Sequence, residues 1–293
     1  MARLLLAVLW LLAASPHDAA EWEAVKADPS CVWGEGWGPS VEEADRQALA
    51  ALASRVSVAV TSGFRQVEEQ VRSSQCDDQY ALVSSRMTAV SSVTLPGTHR
   101  IVLREGRRAH VGRWIRRDDM ERALAGRVAR VLEYEKAALC AEEDGRVGDA
   151  LKYRYWAYAL LRTLPRASEL RGEDGTLLMN ALPAGIDAVL ESLKVKVEGR
   201  SGDRVRIAVT SRGLPVRKLD FRYFDGARWL PGPTVTDGRV TLEMAPGALA
   251  ETIQLKIEYA YAGDTLIDEE LREVMTVSDT RPLKRSYIFI GTR

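Results

Sequence analysis

The stretch CVWGEGWGPSVEEADRQALAAL, residues 31–52, sets three glycines and two tryptophans directly in front of a capped helix. The reading of those glycines decides the fold. Either they cradle a phosphate, or they let an extended segment lie close to the helix that follows. A dinucleotide fingerprint needs G-x-G-x-x-G between a strand and a helix. Here Gly34, Gly36 and Gly38 run G-x-G-x-G, so the third glycine is out of register. Pro29 breaks the segment before them, and Trp33 and Trp37 would crowd an approaching pyrophosphate. The chain contains no Gly-Lys dipeptide and so no Walker lysine. The glycines therefore read as packing residues: a short extended segment whose tryptophans bury against the first helix while glycine permits close backbone approach.

The helix after it opens with Ser40 and Glu43 in capping-box spacing. Val41, Ala44, Ala48, Leu52 and Val56 then recur at helical intervals. Beyond them VSVAVTS, residues 56–62, alternates as a strand should. Residues 66–79 read as a polar helix and loop, and SSRMTAVSSVTL, residues 84–95, as a strand ended by Pro96-Gly97. HRIVLREGRRAHVGRWI, residues 99–115, reads as a hairpin turning at Glu105-Gly106.

A helical pair follows. Asp118 with Glu121 repeats the capping chemistry, and apolar residues recur at Leu124, Val128, Val131 or Leu132, and Leu139. The DGRVGD turn breaks this helix, and the second runs to Pro165. Residues 178–193 form a third helical piece, interrupted by Pro183. From Leu193 the periodicity becomes that of strands: KVKVEG, RVRIAVTS, KLDFRYF, GRVTLEM, TIQLKIEYAY and SYIFIG, separated by Gly-, Pro- and Asp-rich turns. The expected architecture is α+β: a small α/β sheet domain with a helical hairpin, then an all-β immunoglobulin-like sandwich. Residues 1–20 read as a signal peptide, 21–118 as the α/β domain, 119–192 as the hairpin with its connecting helix, and 193–293 as the sandwich.

The signal peptide rests on Arg3 followed by LLLAVLWLLAA, residues 4–14, an apolar run about half the roughly 20 residues a membrane helix needs. No later segment is long and apolar enough to span a bilayer, so the expectation is a periplasmic or secreted protein with no transmembrane span. Export gives the three cysteines meaning. An odd number in no metal or redox spacing implies one disulfide and one free thiol in an oxidising compartment. Cys140 lies in a helical run and reads as a small core residue. That leaves Cys31–Cys76 as the candidate bridge, worth about 4 kcal/mol by loop-closure entropy. Three unpaired buried thiols are the alternative.

The residues Trp33, Gly34, Gly36, Ala44, Asp45, Ala48, Leu49 and Leu52 trace a W-G-x-G segment, an E-A-D-x-x-A-L helix and a valine-rich run. In this the chain resembles the lipoprotein-20 family of bacterial envelope proteins and the related N-terminal domain of flagellar assembly protein T. The resemblance covers roughly residues 31–143. It implies a small α/β domain in an envelope protein without known enzymatic residues. Cys31 follows Asp28-Pro29-Ser30, which is no lipobox, so lipid anchoring is not expected. The GLPV and TDGRVTLEM runs look like immunoglobulin-like or transthyretin-like bacterial repeats at the level of fold alone.

Forty-one basic residues balance forty-one acidic ones, so binding to nucleic acid by phosphate neutralisation has no global support. His99 and His110 fall either side of the hairpin turn without further metal-ligand spacing. There is no G-x-S-x-G elbow and no S-x-x-K pair. Acidic pairs at 77–78, 118–119 and 142–143 read as solvated or capping groups rather than a glycosidase pair. No cofactor is expected. One feature stands out: Arg104, Arg107, Arg108, Arg113, Arg116 and Arg117 cluster around Trp114 with few acids among them. Such a run suits an interaction surface for an anionic envelope polymer or an acidic envelope protein. A solvated arginine-rich face is the plainer reading. The expectation is a non-catalytic binding or scaffolding component of a cell-envelope assembly. A periplasmic enzyme of unrecognised class, or a structural adhesin-type module, are the alternatives.

Overall fold

A computed structural model describes residues 16–62, 97–246, 252–259, 268–277 and 286–291. Residues 1–15, Cys76 and the strand expected at 84–95 lie outside them. The described chain is α+β, with six helices and three antiparallel sheets, and it divides into two compact units at Ala125/Gly126.

In the first unit, β1 (Cys31–Gly38) is followed by α2 (Val41–Ser62), with α1 (Pro16–Ala27) preceding both. The hairpin of β2 (His99–Arg104) and β3 (Ala109–Arg116) completes a sheet of order β1-β3-β2. Side chains alternate across a strand, and the two faces of β1 are chemically unlike. Val32, Gly34, Gly36 and Gly38 face α2, whose Ala44, Ala48, Leu52 and Val56 recur every four residues and are all fully buried. A Cβ on Gly34 would lie 2.3 Å from the Leu52 amide nitrogen, and one on Gly36 would lie 2.0 Å from the Ala44 carbonyl oxygen. The strand thus packs against bare helix backbone, as the sequence predicts. The Ser40 hydroxyl accepts from the Glu43 amide at 3.2 Å and caps α2.

The tryptophans do not bury against the packed face of α2, which reaches Trp33 through the Arg55 guanidinium, 3.5 Å from the ring centroid. They stand on the opposite face of β1, which α1 covers: Trp22 lies over Gly112 of β3, donates to Glu35 at 2.6 Å and meets Trp33 edge-on at 5.9 Å. Strand alternation dictates this, because glycines and tryptophans occupy opposite parities. Residues 56–62 continue α2 rather than forming a strand. No Gly or Pro interrupts Val41–Ser62, so an established helix extends at little cost despite valine's modest propensity.

α3 (Arg117–Glu143) runs from the first unit into the second. The second unit continues with α4 (Val147–Leu161) and α5 (Leu178–Ser192), the helical pair and third helix of the sequence reading. α5 buries Leu178, Leu182, Ile186, Val189 and Leu190 and passes through Pro183 unbroken. It turns extended at Leu193 and enters β4 (Leu193–Ser201) without a linker. Cys140 and Leu139 are exposed rather than core residues. The inward face of α3 carries instead Arg127, Val131, Ala138 and Ala141. The buried arginine is tolerated because Glu270 and Thr163 meet it at 2.6 and 2.8 Å.

One sheet centres on β5 (Arg204–Ser211), flanked by β4 (Leu193–Ser201) on one side and by β6 (Leu214–Pro215) and β9 (Arg239–Glu243) on the other. The second has order β11-β10-β7-β8, from β7 (Phe221–Phe224), β8 (Trp229–Pro231), β10 (Thr252–Ile257) and β11 (Tyr287–Gly291). The Tyr223 hydroxyl donates to the Glu243 carbonyl at 2.9 Å and ties the sheets together. A helix the sequence reading lacks, α6 (Glu269–Val277), docks on α3: Arg130 and the Tyr134 hydroxyl reach Asp268 at 2.7 and 2.8 Å. The turn before α4 is anchored through Asp149, which Arg146 holds at 2.7 Å and Lys218 at 3.2 Å. Burial pushes that carboxyl upward, but its basic partners outweigh the cost and hold it below the usual aspartate range.

Candidate cationic and aromatic surface

The arginine run of residues 104–117 is divided by the hairpin that carries it. Antiparallel partners share a face, so Trp37 and His110 lie side by side, and Arg104 stands opposite His110 across a β-bulge between Val102 and Arg104, at the turn end of the sheet. The Trp37 indole, 54% exposed, stacks on the His110 imidazole with centroids 4.5 Å apart and planes 12° apart. Beyond this row the turn, set by Gly106 at φ +88°, presents Arg107 and Arg108 to solvent. Among the described residues, no carboxylate ion-pairs with Arg104, Arg107 or Arg108, although Glu105 shares the turn. Three fork-shaped donors and an open indole face therefore stand together.

The remaining arginines lie elsewhere. Arg113 points to the α2 face and grips Asp45 with two bonds of 2.7 and 2.8 Å, with Arg100 3.6 Å from the same carboxylate. Those bonds hold the Asp45 carboxyl below its ordinary range against the cost of burial. Arg113 is thus a fold-forming residue. Arg116 and Arg117 fall at the far end of β3, roughly 26 Å along the strand from Arg108. Arg117 donates its Nε to the Pro29 carbonyl at 2.8 Å. Trp114 stacks beneath His99 at 4.2 Å, four residues from His110, with its ring nitrogen buried and unpaired. The two histidines consequently do not meet across the hairpin. Each pairs with a tryptophan at opposite ends of β3.

His110 Nε2 has no hydrogen-bond partner among the described residues and lies 3.7 Å from Glu35. Burial lowers its pKa below the usual imidazole value, with Glu35 opposing and Lys26 reinforcing the shift. Sequence inspection singles out neither Trp37 nor His110 as a surface pair. The signal was available in the parity of β1 and β3, but only once their register was known. Cys31 is buried, 3.7 Å from Asp28 and without a disulfide partner among the described residues, and burial pushes its pKa up; Cys76 lies outside them. Among the described residues no helix is long and apolar enough to cross a membrane, and no cluster of three or more His, Cys, Asp and Glu has metal-binding geometry.

Comparison of the chain with protein-family models, with curated proteins and with solved structures gave no match.

Proposed function

We propose that this protein is an exported, non-catalytic component of a bacterial cell-envelope assembly that holds a negatively charged envelope partner at its hairpin tip. The observation that carries the reading is the trio Arg104, Arg107 and Arg108, which meets no carboxylate among the described residues, beside the exposed Trp37–His110 stack. Solvent-exposed guanidinium groups form bidentate bonds with phosphates or carboxylates. The net charge of the chain is zero, so attraction to an anion must come from a local surface of this kind. The N-terminal signal-like segment and the likeness of residues 31–143 to lipoprotein-20 proteins supply the envelope context.

The test is a triple reversal, R104E/R107E/R108E, followed by co-sedimentation with washed envelopes. Vesicles containing anionic lipid and an anionic polysaccharide serve as separate arms. Loss of envelope association with retained far-UV circular dichroism supports the reading, and the arms distinguish lipid headgroup, polymer and acidic protein. Unchanged association at low salt removes it.

A further inference from the structure

The last strand, YIFIG, is apolar on both faces, as strands buried on both sides are. Only one face is covered. Ile290 is buried in the sandwich, whereas Tyr287 and Phe289 stand 41% and 64% exposed on the other side. The register continues this outer face across the sheet. Phe289 and Phe224 flank Gln254 on either side, and Tyr287 and Arg222 flank Lys256. Trp229 pairs with Phe224, at 5.8 Å between ring centroids, and its ring also meets Tyr287 at 5.9 Å. Four aromatic rings thus lie on one sheet face, interspersed with long hydrogen-bonding side chains.

We infer that this face binds a linear polysaccharide, with pyranose rings stacked on the aromatics and hydroxyls bonded by the side chains between them. The composition of the face favours a sugar chain over a protein. A protein partner rewards a continuous apolar patch with few charges at its centre, whereas here Gln254 and Lys256 occupy the middle strand of the face, Gln254 between Phe289 and Phe224 and Lys256 between Tyr287 and Arg222. A pyranose presents an apolar C–H face ringed by hydroxyls, so it needs an aromatic plane with donors and acceptors around it. Gln254 supplies both, Arg222 and Lys256 supply donors, and Glu258, 3.2 Å from Lys256, supplies acceptors. Phe289 and Phe224 stand two strand spacings apart, about 10 Å, roughly the length of two linked pyranose units. This surface belongs to the second unit and shares no residue with the hairpin tip, so it stands independently of the reading above.

The experiment uses the full chain with two probes: soluble β-1,4-linked N-acetylglucosamine hexamer, followed by calorimetry, and purified peptidoglycan sacculi, followed by pull-down. Saturable binding to either, weakened tenfold or more in both Phe289→Ser and Trp229→Ala at unchanged thermal midpoint, supports the inference. Binding that persists in R104E/R107E/R108E separates this site from the hairpin tip. Three results overturn the inference: no binding to either probe, equal binding by wild type and both variants, or a dimer in sedimentation analysis that Phe289→Ser dissolves while neither probe binds. The last would assign the face to a second copy of the chain.

Discussion

Replacing Gly36 by alanine tests the central packing claim most directly. The added methyl would lie 2.0 Å from the Ala44 carbonyl oxygen and 2.3 Å from the Ala48 amide nitrogen, both backbone atoms of α2. No side chain can swing aside to make room. To reach an ordinary 3.4 Å contact, helix and strand must separate locally by 1.4 Å. A gap of that size forfeits much of the dispersion attraction along Ala44, Ala48 and Leu52. Overpacking of this kind costs about 3 kcal/mol, at the upper end of the usual range. Urea unfolding followed by tryptophan fluorescence measures it, since Trp22, Trp33, Trp37 and Trp114 all belong to this unit. Gly126→Ala is the matched control: a helical glycine with open space around it. Alanine there should stabilise by roughly 0.5–1 kcal/mol. A Gly36→Ala effect within about 0.5 kcal/mol of zero would show that the strand does not touch helix backbone, and the argument from the glycines would fail.

Three further outcomes are expected. Asp45 titrates below its ordinary value in the folded protein, so its pair with Arg113 contributes fully above the unfolded aspartate pKa of about 4. That contribution is lost as pH falls through the lower folded value, and Asp45→Asn should flatten stability against pH in that acidic window. Arg127→Ala removes the buried partner of Glu270 and the Thr163 hydroxyl; because Glu270 keeps Arg130 at 3.7 Å and Thr163 keeps the Leu160 carbonyl, the second unit should lose about 3 kcal/mol, the lower end for a broken buried pair, read from chemical denaturation. Thiol titration of denatured, unreduced protein should find one free thiol if Cys31 and Cys76 pair after export; three would exclude the bridge.

Local chemistry made much of this protein legible. The capping serine, the four-residue recurrence of small apolar residues, the Glu105-Gly106 turn and the six main strands of the C-terminal half are each encoded within a dozen residues. The glycines of β1 could be read as packing residues because a phosphate loop demands a spacing they do not have. What nearby residues cannot encode is the partner that each face meets. Tryptophan and glycine alternate in β1, but only the placement of α1 and α2 on opposite sides of the sheet sends the indoles away from the packed face of α2. Residues 56–62 show strand alternation, yet the helix already formed before them carries them along. The arginine run looks continuous in the chain. Strand parity turns Arg113 inward to Asp45, and strand length separates Arg108 from Arg116. The histidines part for the same reason. Likewise, Arg127 becomes a core residue only because a helix more than a hundred residues later brings Glu270 to it. Sequence alone determined periodicity, caps and turns, because these are set over distances of a few residues. Tertiary structure alone decided which side chains share a surface, because register and helix placement depend on contacts between distant parts of the chain.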